Sequence, residues 1–157
     1  MTTLHPVPAD DLYRLAGLRM NDGPAYASDG MISILDKTPD LSFHEIRSAG
    51  RPVGMFKLDP RYHERHDFAG ADDIGLRGVL IDRDQQRKGF GVTAMRALPA
   101  YVRGLYPRAL AILLTVNIDN RPARRTYLRA GFADTGALYL GGSLGPQHIM
   151  RLTLDRI

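Results

Sequence analysis

The chain has 157 residues, 44% of them hydrophobic and 24% charged, with a formal net charge of +4. That length suits one domain with a substantial core and is short for two, and the composition excludes disordered, collagen-like and coiled-coil chains. With no cysteine, disulfide scaffolds, thiolate zinc sites, iron–sulfur clusters and cysteine nucleophiles are excluded as well. No apolar run approaches the ~20 residues of a membrane span, and the opening MTTLHPVPADD lacks the basic-then-apolar pattern of a secretory signal, so a cytoplasmic setting is expected. The charge is divided unevenly: residues 1–73 hold 8 basic and 12 acidic side chains, and residues 74–157 hold 13 and 5. Such a two-sided molecule suggests an anionic ligand at one end and a cationic one at the other, where an even basic coat would suggest nucleic acid.

In chain order, TTLHPV reads as a short strand and PADDLYRLAGL as a helix, with Pro8, Asp10 and Asp11 in its first turn and Leu12, Leu15 and Leu18 at helical spacing. A second, less regular helical piece is expected within residues 23–37, ended by Thr38-Pro39. A hairpin follows, with strands over Ser42–Arg47 and Pro52–Leu58 and a turn at Ser48-Ala49-Gly50. RYHERHDFAGADD is polar and reads as a solvated loop; its consecutive His and acidic residues do not point at one metal centre. IGLRGVLID, residues 74–82, is an apolar strand. After a loop over residues 83–91, Val92, Met95, Leu98, Val102 and Leu105 mark one helix face, which Pro99 is predicted to kink and Pro107 to end. ALAILLTV is a second buried strand, Asn120 a candidate N-cap for the helix RPARRTYLRA, and Gly131 a left-handed stop. Two more strands, around Ala133–Tyr139 and His148–Leu154, complete an α/β (α+β) chain with the order β-α-α-β-β-β-α-β-α-β-β.

Two segments carry chemistry. A strand, a glycine loop and a helix bring successive backbone N–H groups and a helix N-terminus onto a phosphate. Here the loop is Gln86-x-x-Gly89-x-Gly91, with Arg87 and Lys88 adding positive charge. It is neither a Walker A loop nor a three-glycine dinucleotide fingerprint. About thirty residues later, Asn120-x-x-Ala123-x-x-x-Tyr127-x-x-x-Gly131-Phe132 puts Asn120, Ala123 and Tyr127 on one helix face. That face can line a groove: Asn120 offers an amide, Ala123 leaves room for a chain to pass, and Tyr127 offers a phenol.

The two motifs, in this order, resemble the GNAT superfamily of acetyl-coenzyme A-dependent N-acetyltransferases. Gln86, Gly89 and Gly91 match its pyrophosphate loop, and the segment from Asn120 to Phe132 resembles its second conserved helix. The resemblance implies one N-acetyltransferase domain over residues 1–157, built on a mixed, mostly antiparallel sheet of about seven strands flanked by about four helices. The sheet would splay between the strands at 74–82 and 109–117. It implies acetyl-CoA as co-substrate, with no metal. Val79, Leu80 and Ile81 would offer backbone groups to the pantetheine and the acetyl carbonyl, the amides of Gln86, Arg87, Lys88, Gly89, Phe90, Gly91 and Val92 would hold the pyrophosphate, Asn120 and Ala123 would face the cofactor, and Tyr127 would protonate the departing thiolate. Leu80-Ile81-Asp82, Thr135-Gly136 and the run from His148 to Leu152 also look like bacterial diamine and polyamine acetyltransferases.

Acetyl transfer needs a neutral amine, and a primary alkyl amine of pKa ~10.4 is almost wholly protonated at neutral pH, so a base is required. Without cysteine, direct attack within a ternary complex is favoured over an acyl-enzyme. Some family members carry Glu on the central strand nine residues before the first motif residue, where this chain has Arg77. Asp73, Glu45, His44 and His148 stand as base candidates, directly or through water. Arg121, Arg125 and Arg129 form a stripe read as a solvated face. The expected acceptor is a small amine, diamines and polyamines among them, with protein N-termini, amino acids and aminoglycosides as alternatives. The acidic first half, with Asp10, Asp11, Asp22, Asp29, Asp36 and Asp40, would face it. A homodimer is in keeping with the resemblance, and no membrane or nucleic-acid partner is expected. A non-catalytic acetyl-CoA sensor and a nucleic-acid module are the readings from other classes; the absence of Trp and of aromatic–basic interleaving argues against the second.

Overall fold

The computed structural model describes residues 1–21 and 23–155. Its strands are β1 (Thr2–Val7), β2 (Ser42–Ser48), β3 (Arg51–Asp59), β4 (Asp73–Ile81), β5 (Ala111–Asn117), β6 (Ala133–Tyr139) and β7 (Gln147–Thr153), and its helices α1 (Gly30–Ser33), α2 (Phe90–Leu105) and α3 (Arg121–Arg129). The seven strands make one sheet in the order β1-β2-β3-β4-β5-β7-β6. Every neighbouring pair is antiparallel except β4 and β5. The tight turn at Ala49-Gly50 makes β2 and β3 adjacent, whereas the parallel pair needs the crossover that α2 supplies. No helix among the described residues is long and apolar enough to cross a membrane.

Alternation along the strands gives the sheet two apolar faces. On one, Ile46, Phe56, Leu58, Ile112, Leu114 and Met150 pack with Ala94, Met95, Leu98 and Val102 of α2 and Tyr127 of α3. On the other, Val7, Phe43, Met55 and Leu80 are covered by Leu15, Leu18 and Ile34. The expected face of α2 holds at Met95, Leu98 and Val102, while Leu105 is exposed, and the helix runs through Pro99 as one element. Gly131 takes φ +103° just past α3, as a left-handed stop requires.

Two expected helices take a different form. Residues 8–18 contain a 3-10 helix over Ala9–Leu15 with a non-helical residue at Asp11, and residues 23–37 contain only the single turn of α1. Leu12, Leu15 and Leu18 are spaced by three, the repeat of a 3-10 helix as much as an approximation to the α-helical one. Gly17, Gly23, Pro24 and Gly30 then break the following stretch. Gly30 lies so close to the Leu15 carbonyl that a Cβ would overlap it, so the two pieces pack by backbone approach.

The sheet opens where the parallel pair ends. Asp73, Ile74 and Gly75 pair with Ala111, Ile112 and Leu113, and beyond them β4 and β5 separate. On its other edge β4 carries a bulge: Met55 faces Leu80 and Lys57 faces Arg77, so Phe56 alone opposes both Gly78 and Val79. Gly78 supplies the left-handed turn of that bulge at φ +58°. A bulge leaves one residue unpaired and bends its strand, and this one follows the last β4–β5 pair at Gly75.

Candidate active site

The splay opens into two clefts that meet. The first, of about 640 Å³, is lined by Val79, Leu80 and Ile81 of β4, by Gln86, Arg87, Gly89, Phe90, Gly91 and Val92 around the start of α2, and by Asn120, Ala123, Thr126 and Tyr127 from α3 and its approach. Met20, Asn21 and Tyr26 close its outer side. The second, of about 410 Å³, is lined by Tyr62, His66, Leu76, Arg77, Thr115, Asn117, Leu144 and Gln147. Tyr26, Ala27, Val79, Asn120, Ala123 and Tyr127 line both.

The first cleft is rich in unused donors. Within α2 the earliest backbone bond runs from Thr93 N–H to the Gly89 carbonyl, and no side chain caps the helix. The N–H groups of Phe90, Gly91 and Val92 thus point out of the helix end with its partial positive charge. Arg87 at φ 64° and Gly89 at φ 81° are both left-handed, which curls the preceding backbone toward the same point. A left-handed non-glycine such as Arg87 carries local strain. The loop is tied down on both sides: Arg83 N–H donates to the Arg19 carbonyl at 2.8 Å, Arg19 N–H donates to Asp82 Oδ1 at 2.9 Å, and Gln86 Nε2 donates to the Ile81 carbonyl at 3.1 Å. Lys88 is the one residue of the expected set that does not line the cleft; it is exposed and bonds Gln85.

Asn120 occupies the N-cap position of α3 but makes no side-chain capping bond, so its amide is free to face the clefts. Its approach is held rigidly: Asn117 Nδ2 donates to the Leu144 carbonyl at 2.8 Å and Ile118 N–H to the Pro146 carbonyl at 3.1 Å. Tyr127 is 8% exposed and packs edge-on against Phe132. Its hydroxyl bonds to no other described residue, and burial pushes the phenol well above its ordinary value, so it stays protonated through the neutral range.

None of the four expected bases lines either cleft. Asp73 stands at the closed end of β4, accepting from Gly70 N–H at 2.8 Å and pairing with Arg151 at 3.4 Å. Glu45 is gripped by Arg14 and Arg47. His44 is stacked on Phe56 and bonded to Tyr101 and Ser42, and burial lowers it to about 4. His148 faces Asp134 at 3.3 Å. The acidic residues named from the first half do not line the clefts either: Asp11 pairs with Arg14, Asp29 accepts from Met20 N–H, Asp36 binds Lys57 and Arg77, and Asp40 pairs with Arg61. Asp10 is exposed, and Asp22 lies outside the described residues.

Residues 61–73, expected to be a solvated loop, instead bury Tyr62 and pack His66 against Tyr62, Phe68 and Tyr139. His66 lines the second cleft, and its Nδ1 is buried without a hydrogen-bond partner among the described residues. Burial first, then the charge of Arg77, lower its pKa from the ordinary value, which favours the neutral ring. The only sequence signal was the spacing of Tyr62, His66 and Phe68 inside a polar run. Among the described residues no cluster of His and acidic side chains is arranged for a metal.

A sequence profile of the acetyltransferase (GNAT) family matches residues 10–132. The chain belongs to this family. It is 41% identical over 100 residues to an uncharacterized N-acetyltransferase, YbbJ, of Bacillus subtilis (strain 168); the match spans 63% of this chain and 62% of that protein. The fold is also that of aminoglycoside acetyltransferase AAC(6')-Ib in complex with coenzyme A and kanamycin, at TM-score 0.74 and 21% identity over 98% of this chain and 95% of that one. The ribosomal-protein-S18-alanine N-acetyltransferase from Escherichia coli superposes at TM-score 0.70 and 17% identity over 100% and 96% of the two chains.

Proposed function

We propose that the chain is an acetyl-CoA-dependent N-acetyltransferase acting on the primary amine of a small molecule by direct attack in a ternary complex. The observation that carries this reading is the single cleft that joins an uncapped helix N-terminus to a bulged, splayed strand. A diphosphate fits the open N–H groups of residues 90–92 beside Arg87, and an extended amide arm fits the unpaired edge of β4 at Val79–Ile81. The co-substrate supplies an activated acetyl group. Val79 N–H polarises its carbonyl, and Asn120 and Ala123 hold the arm in line.

The acceptor enters from the second cleft and meets the acetyl group between Val79 and Tyr127. As the amine nitrogen bonds the acetyl carbon, the carbon–sulfur bond breaks, and Tyr127 gives its proton to the leaving sulfur. His66, neutral and facing the acceptor side, accepts the proton that the amine must lose. Among the described residues no carboxylate lines the second cleft, which disfavours polyamines within the small amines expected. The test is thiol release with acetyl-CoA across polyamines, amino acids, aminoglycosides and peptide N-termini. Turnover of a small amine is the expected result, and turnover of peptide N-termini alone would replace the small-molecule reading.

A further inference from the structure

We infer that the acceptor is an amine bearing a carboxylate, and that Arg77 receives that carboxylate; this rests on the second cleft being the acceptor side. Arg77 lies on β4 two residues before Val79, which lines both clefts. It lines the second cleft, and its side chain is 31% exposed.

The charges around it leave Arg77 partly unneutralised. Its Nη2 is 3.2 Å from Asp36 Oδ2 and its Nη1 is 3.5 Å from Asp59 Oδ2, both single contacts. Asp59 is already held by Arg65 through two bonds of 2.8 and 3.0 Å, and Asp36 is shared with Lys57 at 3.3 Å. Two carboxylates therefore serve three cations, and neutral His66 adds no negative charge. The network fixes the guanidinium in place, and among the described residues Arg77 is the one Lys, Arg, Asp or Glu that lines the second cleft. A guanidinium has five donors in a planar fork suited to a carboxylate.

The rest of the wall agrees. Tyr62, Thr115, Asn117 and Gln147 are uncharged polar groups, so a polycation would meet Arg77 with no carboxylate lining the cleft to receive it. The same charge assists the chemistry. A carboxylate on the acceptor stabilises its own ammonium form, and pairing that carboxylate with Arg77 cancels the effect, which leaves more of the reactive neutral amine.

The experiment sets glycine, γ-aminobutyrate and several L-amino acids beside their carboxamides, with spermidine as the polycationic comparator, and reads thiol release by the full chain. The free acids are expected to exceed their amides in kcat/KM by roughly 10- to 100-fold. Arg77→Gln is expected to bring that ratio towards one by raising KM for the acids, and Arg77→Lys to keep part of it. Amides or spermidine used as well as the acids overturn the assignment, as does acetyl-CoA binding with no acid acetylated. Absence of acetyl-CoA binding in calorimetry overturns the acetyltransferase reading itself and this assignment with it.

Discussion

The ring of Tyr62 lies directly over Gly75, the last residue of β4 to pair with β5, and a Cβ at Gly75 would overlap that ring. The missing side chain lets an aromatic from the loop after β3 wedge against the sheet where it starts to open. Gly75→Ala is therefore expected to displace Tyr62, costing about 1–3 kcal/mol and lowering Tm by roughly 3–10 °C. Because Tyr62 walls the second cleft, KM for the acceptor should rise more than KM for acetyl-CoA. Thermal unfolding and steady-state kinetics check both effects.

Tyr127→Phe keeps the ring packed against Phe132 and removes only the hydroxyl. With Tyr127 as the acid, kcat is expected to fall by roughly 100-fold or more, with little change in the calorimetric Kd for acetyl-CoA. Unchanged kcat would remove Tyr127 from the proton transfer.

Arg87 and Lys88 are adjacent, but only Arg87 lines the first cleft. Arg87→Ala is expected to weaken acetyl-CoA by roughly fivefold, and Lys88→Ala by less than about twofold. Equal losses, read by titration of both variants, would mean that general positive charge rather than the curl of the loop recruits the phosphates.

His44, 1% exposed, is lowered by burial to about 4 from its ordinary 6.5. Below pH 6.5 the unfolded chain takes up a proton here that the folded chain refuses until about pH 4. The stability associated with neutral His44 is fully present above that window and is lost as pH falls through it. Between pH 7.5 and 4.5 the loss is expected to be about 2 kcal/mol. Urea unfolding at the two pH values checks this, and His44→Phe should show a smaller drop.

Much of this architecture is legible along the chain. The hairpin of β2 and β3 announces itself by alternation around Ala49-Gly50, and α3 by Gly131 behind an apolar-polar repeat. The phosphate loop and the Asn120–Tyr127 face are contiguous motifs, and their residues meet in one cleft with the exception of Lys88. What escaped the sequence depends on distant contacts. The three-residue spacing of Leu12, Leu15 and Leu18 fits two kinds of helix, and the close approach of Gly30 to Leu15 favours the tighter one. His66 looked solvated because its partners, Arg77 and Tyr139, come from β4 and β6. Glu45 and Asp73 looked free because Arg14, which holds Glu45 together with its neighbour Arg47, and Arg151, which holds Asp73, lie far away in sequence. The charge asymmetry was visible, but many carboxylates of the acidic half are spent on arginines of both halves and on Lys57, and none of them lines either cleft.

The most direct measurement is calorimetric titration of the full chain with acetyl-CoA. Saturable binding at one site per chain, competed by coenzyme A and weakened by Arg87→Ala, is the expected result. Absence of saturable binding would contradict the account at its centre.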